Sequence, residues 1–162
     1  MKQIILINGP SSSGKSTLSR ALQAQLLREG QEYAWISIDH FLNMSTDEVI
    51  YEDDVYAIRT ALCNAVEQAL ATAPGVIIDH VITSQRIFDH LCDTLASHRT
   101  LLVRVTCPVE ILRQRELARK NRCLGSAEAS QVYLYPQEGY HITVDTHAMT
   151  PEECATRICQ AL

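Results

Sequence analysis

Gly9-Pro10-Ser11-Ser12-Ser13-Gly14-Lys15-Ser16, followed by Thr17, decides the fold of this 162-residue chain. The stretch matches the phosphate-cradling pattern G-x-x-x-x-G-K-[ST], and its flanks fit the physics of that pattern. The apolar run Ile4-Ile5-Leu6-Ile7 precedes it, and Leu18, Ala21, Leu22 and Leu26 follow it at helical spacing. A buried strand therefore feeds a glycine loop that opens a helix, the context that separates this motif from a chance Gly/Ser turn. Backbone N–H groups of the loop and of the helix N-terminus suit an anionic phosphate. Gly9 through Thr17 form the expected nucleotide cradle. Lys15 is expected to reach the β- and γ-phosphates of ATP, and the Ser16 hydroxyl to ligate Mg²⁺.

Working outward, strand-like and helix-like stretches alternate. Strands are expected near 3–8, 33–38, 76–78, 100–106 and 141–145. Helices are expected near 15–29, 55–73 and 84–97, from Pro108 onward, and after the Thr150-Pro151-Glu152-Glu153 capping box. Residues 40–54 read as irregular or short-helical. Such alternation implies a parallel sheet with crossover helices. The expected fold is an α/β P-loop NTPase, a three-layer α/β/α domain with a five-stranded parallel sheet, like small-molecule and nucleotide kinases. A single kinase domain over residues 1–162 is expected, with a lid at about 115–130. No N-K-x-D guanine-specificity motif occurs.

Bulk properties restrict the partners. The net charge of −5 argues against general nucleic-acid binding, which leaves a basic footprint. No apolar run is long enough to span a bilayer, and Lys2 is followed by only four apolar residues after Gln3, too few for a signal peptide. The chain is expected in the cytoplasm, without membrane contact; the oligomeric state is left open, a homo-oligomer included. The six cysteines form no C-x-x-C pair, and the six histidines show no zinc spacing. Reduced thiols and no structural metal are expected.

Phosphoryl transfer needs a cradle, Mg²⁺, a group that readies the nucleophile, and cations for the migrating charge. Two aspartates end apolar strands: Asp39 follows Trp35-Ile36-Ser37-Ile38, and Asp79 follows Val76-Ile77-Ile78. By analogy with small kinases, the third strand lies beside the first and the second beyond it. Asp79 is then next to the loop, suited to Mg²⁺ or its waters. Asp39 is about 10 Å from the first strand, placed to accept a proton from an acceptor hydroxyl. Each aspartate equally fits a cap or turn after a strand. Arg104, Arg113, Arg115, Arg119 and Arg122 cluster late in the chain. If the helix from Pro108 continues, Arg115, Arg119 and Arg122 share one face. Arg119 and Arg122 are the favoured phosphate contacts, with Asn121 to Gly125 as a hinge. The acidic run 47–54 reads as a solvated loop and helix start. His40 and His80 read as packed or water-facing.

The sequence resembles the chloramphenicol phosphotransferase-like family of P-loop kinases. The likeness runs nearly end to end, through Ile5 to Ser16, Ser37-Ile38-Asp39 and Ile77-Ile78-Asp79-His80-Val81. It is most distinctive in Val103 to Pro108, Arg115 to Arg122, Gln131-Val132-Tyr133 and Tyr140 to Thr146. The resemblance implies Mg²⁺-dependent transfer from ATP to a small-molecule hydroxyl acceptor. In it, Asp39 activates the hydroxyl, Lys15 binds phosphate, and Arg119 and Arg122 flank the transferring group. His80 stands where the antibiotic-modifying enzyme has a second aspartate, and segment 40–54 departs from that enzyme. Other readings are a kinase for a nucleoside, a sugar nucleotide or another metabolite, and a regulatory nucleotide-binding protein without transfer.

Overall fold

The computed structural model describes residues 1–44 and 46–162. Five parallel strands run in the order β2-β3-β1-β4-β5. They are β1 (Gln3–Asn8), β2 (Ala34–Ser37), β3 (Gly75–His80), β4 (Arg99–Thr106) and β5 (Ile142–Asp145). The third strand thus lies beside the first and the second beyond it, as expected. Strand alternation divides the core into two faces. Ile5, Ile7, Ile77 and Val103 pack under α1 (Lys15–Arg28) and α7 (Pro151–Cys159). Ile4, Leu6, Ile78 and Leu102 pack under α3 (Arg59–Thr72) and α4 (Gln85–Leu95). Both faces of β1 and β3 are buried, which is why those strands read as continuous apolar runs.

Local chemistry accounts for the helix ends. Ser84 Oγ accepts the Ile87 N–H at 3.3 Å and caps α4. At α7, Thr150 Oγ1 accepts from Glu153 N–H at 3.2 Å while the Glu153 carboxylate accepts from Thr150 N–H at 2.8 Å, completing the expected capping box. Three features differ from expectation. The helix expected at 55–73 is two: α2 (Glu52–Ala57) and α3, broken at Ile58. Arg59 bridges the break: its Nη1 donates to the Tyr56 carbonyl at 2.7 Å and its guanidinium lies 3.8 Å over the Tyr56 ring. Strand β3 extends through Asp79 and His80 instead of stopping before them. The helix after Pro108 is α5 (Val109–Ala118), and it stops there; a separate α6 (Ser126–Val132) follows.

All six cysteines are free thiols: Cys63, Cys107 and Cys154 are buried, Cys123 and Cys159 half-buried, and Cys92 exposed. Among the described residues no helix is long and apolar enough to cross a membrane.

Candidate active site

The loop from Gly9 to Gly14 leaves the carboxyl end of β1 and turns into α1. A Cβ on Gly9 would lie 2.8 Å from the Val105 carbonyl oxygen, so only glycine lets β4 approach this closely. Ser12 (φ 63°) and Gly14 (φ 90°) take left-handed conformations that curl the loop. Leu18 N–H is the first in α1 to bond back, to Gly14 O at 3.0 Å. The amides of Lys15, Ser16 and Thr17 therefore have no intrahelical acceptor. Lys15 Nζ spans the loop and donates to Pro10 O at 2.8 Å. Burial lowers its pKa to about 8, against the opposing pull of Asp79 and Asp39. Ser12 Oγ and Ser13 Oγ are buried without partners. A cradle with free donors and an enclosed cation fits a polyphosphate.

The loop is braced from behind. Arg115 Nη1 donates to Ser13 O at 3.2 Å, and its Nη2 to Thr146 O at 2.9 Å. Thr146 Oγ1 also donates to Ser13 O. The end of β5 and one arginine of α5 thus grip the loop carbonyl on the side away from the cavity. From the other side, Ser130 Oγ of α6 accepts the Ser11 N–H at 2.9 Å.

Neighbouring strands carry the carboxylates. Ser37 and Asp79 are register partners on β2 and β3. Asp79 is buried, and its two oxygens accept from Trp35 Nε1 at 2.8 Å and Ser37 Oγ at 2.7 Å. Ser37 Oγ also accepts the Asp39 N–H at 3.3 Å, so one hydroxyl links both aspartates. Asp39 sits in a 3₁₀ turn after β2, and its Oδ2 accepts from Arg122 Nη2. Arg122 is buried while Asp39 is half-buried.

Of the five late arginines, the structure brings Arg119 and Arg122 to the mouth of the cradle. The shared helical face expected for Arg115, Arg119 and Arg122 is absent, because the backbone turns extended at Arg119 (ψ 137°). Partial enclosure of an otherwise exposed side chain, and after it the adjacent Arg122 guanidinium, lower the Arg119 pKa. Arg113 bonds Glu128 at the surface and Arg104 bonds the Gln137 carbonyl, both outside the cradle. His40 is exposed against the edge of Trp35. His80 is buried with Nδ1 unpartnered, and burial pushes its pKa down to about 4, helped by Lys15. Sequence reasoning missed Asn8. Its side chain accepts Ile82 N–H at 3.0 Å and donates to Tyr135 O and Tyr140 Oη, tying residues 135–140 to the strand ends. A polar residue closing an apolar strand was the only signal.

Two cavities meet at Asp39. The narrow one is the cradle itself, floored by Lys15 and Ser16 and edged by Asp79 and Arg119. The wide one, of about 390 Å³, lies on the other side, walled by Leu42, Met44, Val49, Ile50, Val55 and Tyr133. Asp39, Arg122, Ser11, Ile38 and Val81 line both. The volume falls within the range of small-molecule sites.

This fold, with its glycine loop, strand-end carboxylates and overhanging arginines, is that of the P-loop kinases. A sugar kinase from a Janibacter species superposes with a TM-score of 0.74 at 17% identity, over 99% of this chain and 94% of that one. The Mycobacterium tuberculosis APS kinase CysC, in complex with AMPPNP and APS, gives a TM-score of 0.76 at 15% identity, over 99% and 96%. A gluconokinase from Sinorhizobium meliloti gives 0.71 at 18% identity, over 98% and 90%. No curated protein matches the sequence. The family model described as chloramphenicol phosphotransferase-like protein matches residues 2–162, and the chain belongs to that family.

Proposed function

We propose that the protein transfers the γ-phosphoryl group of ATP to a hydroxyl of a small molecule seated in the wide cavity. One observation carries this reading: Asp39 faces the polyphosphate cradle on one side and the cavity on the other. A carboxylate at that junction accepts the acceptor's proton as its oxygen attacks phosphorus. Lys15 and the amides of loop 9–17 hold the polyphosphate. Arg119 and Arg122 balance charge on the group in flight. Arg122 bonds Asp39; a bound γ-phosphate would compete for that guanidinium and free the carboxylate to act as base. Within the lid expected at about 115–130, the arm 119–125 is the part that closes over the phosphates and excludes water.

Among the described residues no group of three or more His, Cys, Asp or Glu could hold a metal ion. Mg²⁺ suits the site nonetheless, because it binds through substrate phosphates, waters and one or two protein ligands. Ser16 would ligate it directly. Asp79, with both oxygens already accepting hydrogen bonds, would hold its water shell. When bound, the ion would supply positive charge that offsets the polyphosphate.

The cavity walls narrow the acceptor. Arg122 is already paired with Asp39 and Glu52 with Arg86, which leaves Glu48 as the further charged group lining the wide cavity among the described residues. Anionic acceptors such as nucleotides and sugar nucleotides meet repulsion there, whereas a neutral, largely apolar alcohol finds complementary walls. Chloramphenicol is the leading candidate. The test is transfer of labelled γ-phosphate from Mg·ATP to a panel of alcohols holding chloramphenicol, sugars and nucleosides, with wild type and Asp39→Ala. Transfer to a neutral apolar alcohol that drops about 100-fold or more in Asp39→Ala is expected. Nucleotide binding with no transfer to any alcohol would leave a binding protein instead.

A further inference from the structure

Glu116 is a buried carboxylate on α5 that the phosphate chemistry above does not use. Its Oε2 accepts the Gly125 N–H and its Oε1 the Ala127 N–H, both at 2.8 Å. These are the N-cap and second amides of α6. Gly125, at φ 89°, has no side chain with which to cap its own helix. A local Ser or Asp cap would satisfy such amides with far less desolvation than a buried acid. The distant carboxylate accomplishes something a local cap cannot: it ties residue 116 to residue 125 and closes the loop between them.

That loop carries Arg119 and Arg122, and it has little packing of its own. Leu117 and Leu124, its two large apolar side chains, are 69% and 66% exposed. Arg119, Lys120 and Asn121 are exposed as well. The loop reaches the body of the domain through the Arg122–Asp39 pair and the Glu116 tie at its base. Beyond the tie, α6 continues to Ser130, which receives the Ser11 amide. The glycine loop keeps its separate braces at Ser13 O from Arg115 and Thr146, so what Glu116 fixes to α5 is chiefly the segment with the two arginines.

We infer that Glu116 is a positioning residue for phosphoryl transfer: by clamping Gly125 and Ala127 it presents Arg119 and Arg122 to the terminal phosphate. The inference rests on the reading that the cradle holds ATP with its γ-phosphate toward these arginines. It separates two quantities that a purely structural cap would change together. Affinity for ADP depends on the glycine loop and Lys15; the extra affinity for ATP depends on the arginines. Calorimetry with Mg·ATP and Mg·ADP on the full chain measures both. Wild type should prefer ATP. Glu116→Ala should lower ATP affinity about tenfold and leave ADP affinity within about twofold. In an Arg119→Ala/Arg122→Ala background, adding Glu116→Ala should change the ATP:ADP ratio by less than about twofold, because the arginines through which it acts are gone. Glu116→Gln, which keeps the shape and one acceptor, should fall between and serves if the alanine variant does not fold. Wild-type ratios in both variants, equal loss of ATP and ADP, or no ATP preference in wild type would each overturn the inference. Wild type that prefers ATP yet phosphorylates no alcohol defeats the proposed function alone.

Discussion

Loop 9–14 and the arm 119–125 line the same narrow cavity, but they are fastened to the molecule very differently. The loop is pressed against β4 at Gly9, gripped at Ser13 O by Arg115 and Thr146, bonded at Ser11 N by Ser130, and continued by a helix whose Leu18 and Leu22 are fully buried. The arm keeps Leu124 exposed, and it is held where Arg122 bonds the Asp39 carboxylate and where the Gly125 N–H bonds the Glu116 carboxylate. Under the proposed function, the half that would hold the polyphosphate is built in advance, and the half that would balance the migrating charge is the one left to adjust to it. Weakly packed segments supply most moving lids, since little burial has to be undone to move them.

Replacing the one cation fixed in the loop tests this contrast most severely. Lys15→Ala removes a charge-assisted contact at about 1.5–3 kcal/mol per hydrogen bond, so Mg·ATP affinity should fall about 100-fold or more. Arg119→Ala, which removes an exposed guanidinium of the arm, should cost about tenfold. Calorimetry on both variants decides it. Equal losses would mean the arm is as preorganised as the loop.

The contrast also explains what the sequence revealed. The cradle is legible because consecutive residues build it: a strand, two glycines, a lysine and a helix need no distant partner to be recognised. Asp39 and Asp79 are legible for a similar reason, each sitting where an apolar strand runs out. Arg115 is not. Its spacing to Arg119 and Arg122 matches a continuous helical face, yet α5 ends at Ala118 and Arg115 turns to the back of the loop. Where α6 begins is settled by Glu116, nine residues earlier in sequence than the Gly125 it bonds, and no local propensity announces that. Asn8 and Trp35 escape notice likewise, since their partners Tyr135 and Asp79 lie far along the chain. The wide cavity depends on four separate segments, so its apolar lining is invisible until the fold brings them together.

A second prediction compares the two regions by stability. Gly9→Ala forces a Cβ to within 2.8 Å of the Val105 carbonyl oxygen and 2.9 Å of its Cβ, both on a central strand that has no room to yield. Overpacking of this kind costs about 1–3 kcal/mol. Leu124→Ser, in the arm, exchanges one solvent-exposed side chain for another and should stay within about 0.5 kcal/mol. Urea unfolding reads both as shifts in midpoint at constant slope. A Leu124→Ser loss matching that of Gly9→Ala would show the arm to be a structural member of the domain.

The smallest effect lies at the seam between the two, where His80 closes β3 beside Lys15. Burial holds its imidazole neutral, with a pKa near 4 against 6.5 in the unfolded chain. Between those values the unfolded chain binds the proton and the folded one does not. Stability contributed by the neutral ring is therefore full above about pH 6.5 and is lost as pH falls toward 4. The slope approaches about 1.4 kcal/mol per pH unit within that window. Carboxylates titrate in part of the same range, so the diagnostic is a difference. His80→Gln, which cannot take up a proton, should lose less stability than wild type between pH 7 and pH 5, by about 1–2 kcal/mol in urea unfolding. Bound Mg·ATP should leave most of that difference in place, because burial at the end of β3 is its largest cause and Lys15, the group a nucleotide would reach, a smaller one. If nucleotide abolishes it, His80 is coupled to arm closure, and the boundary between the built half and the moving half runs deeper than the glycine loop.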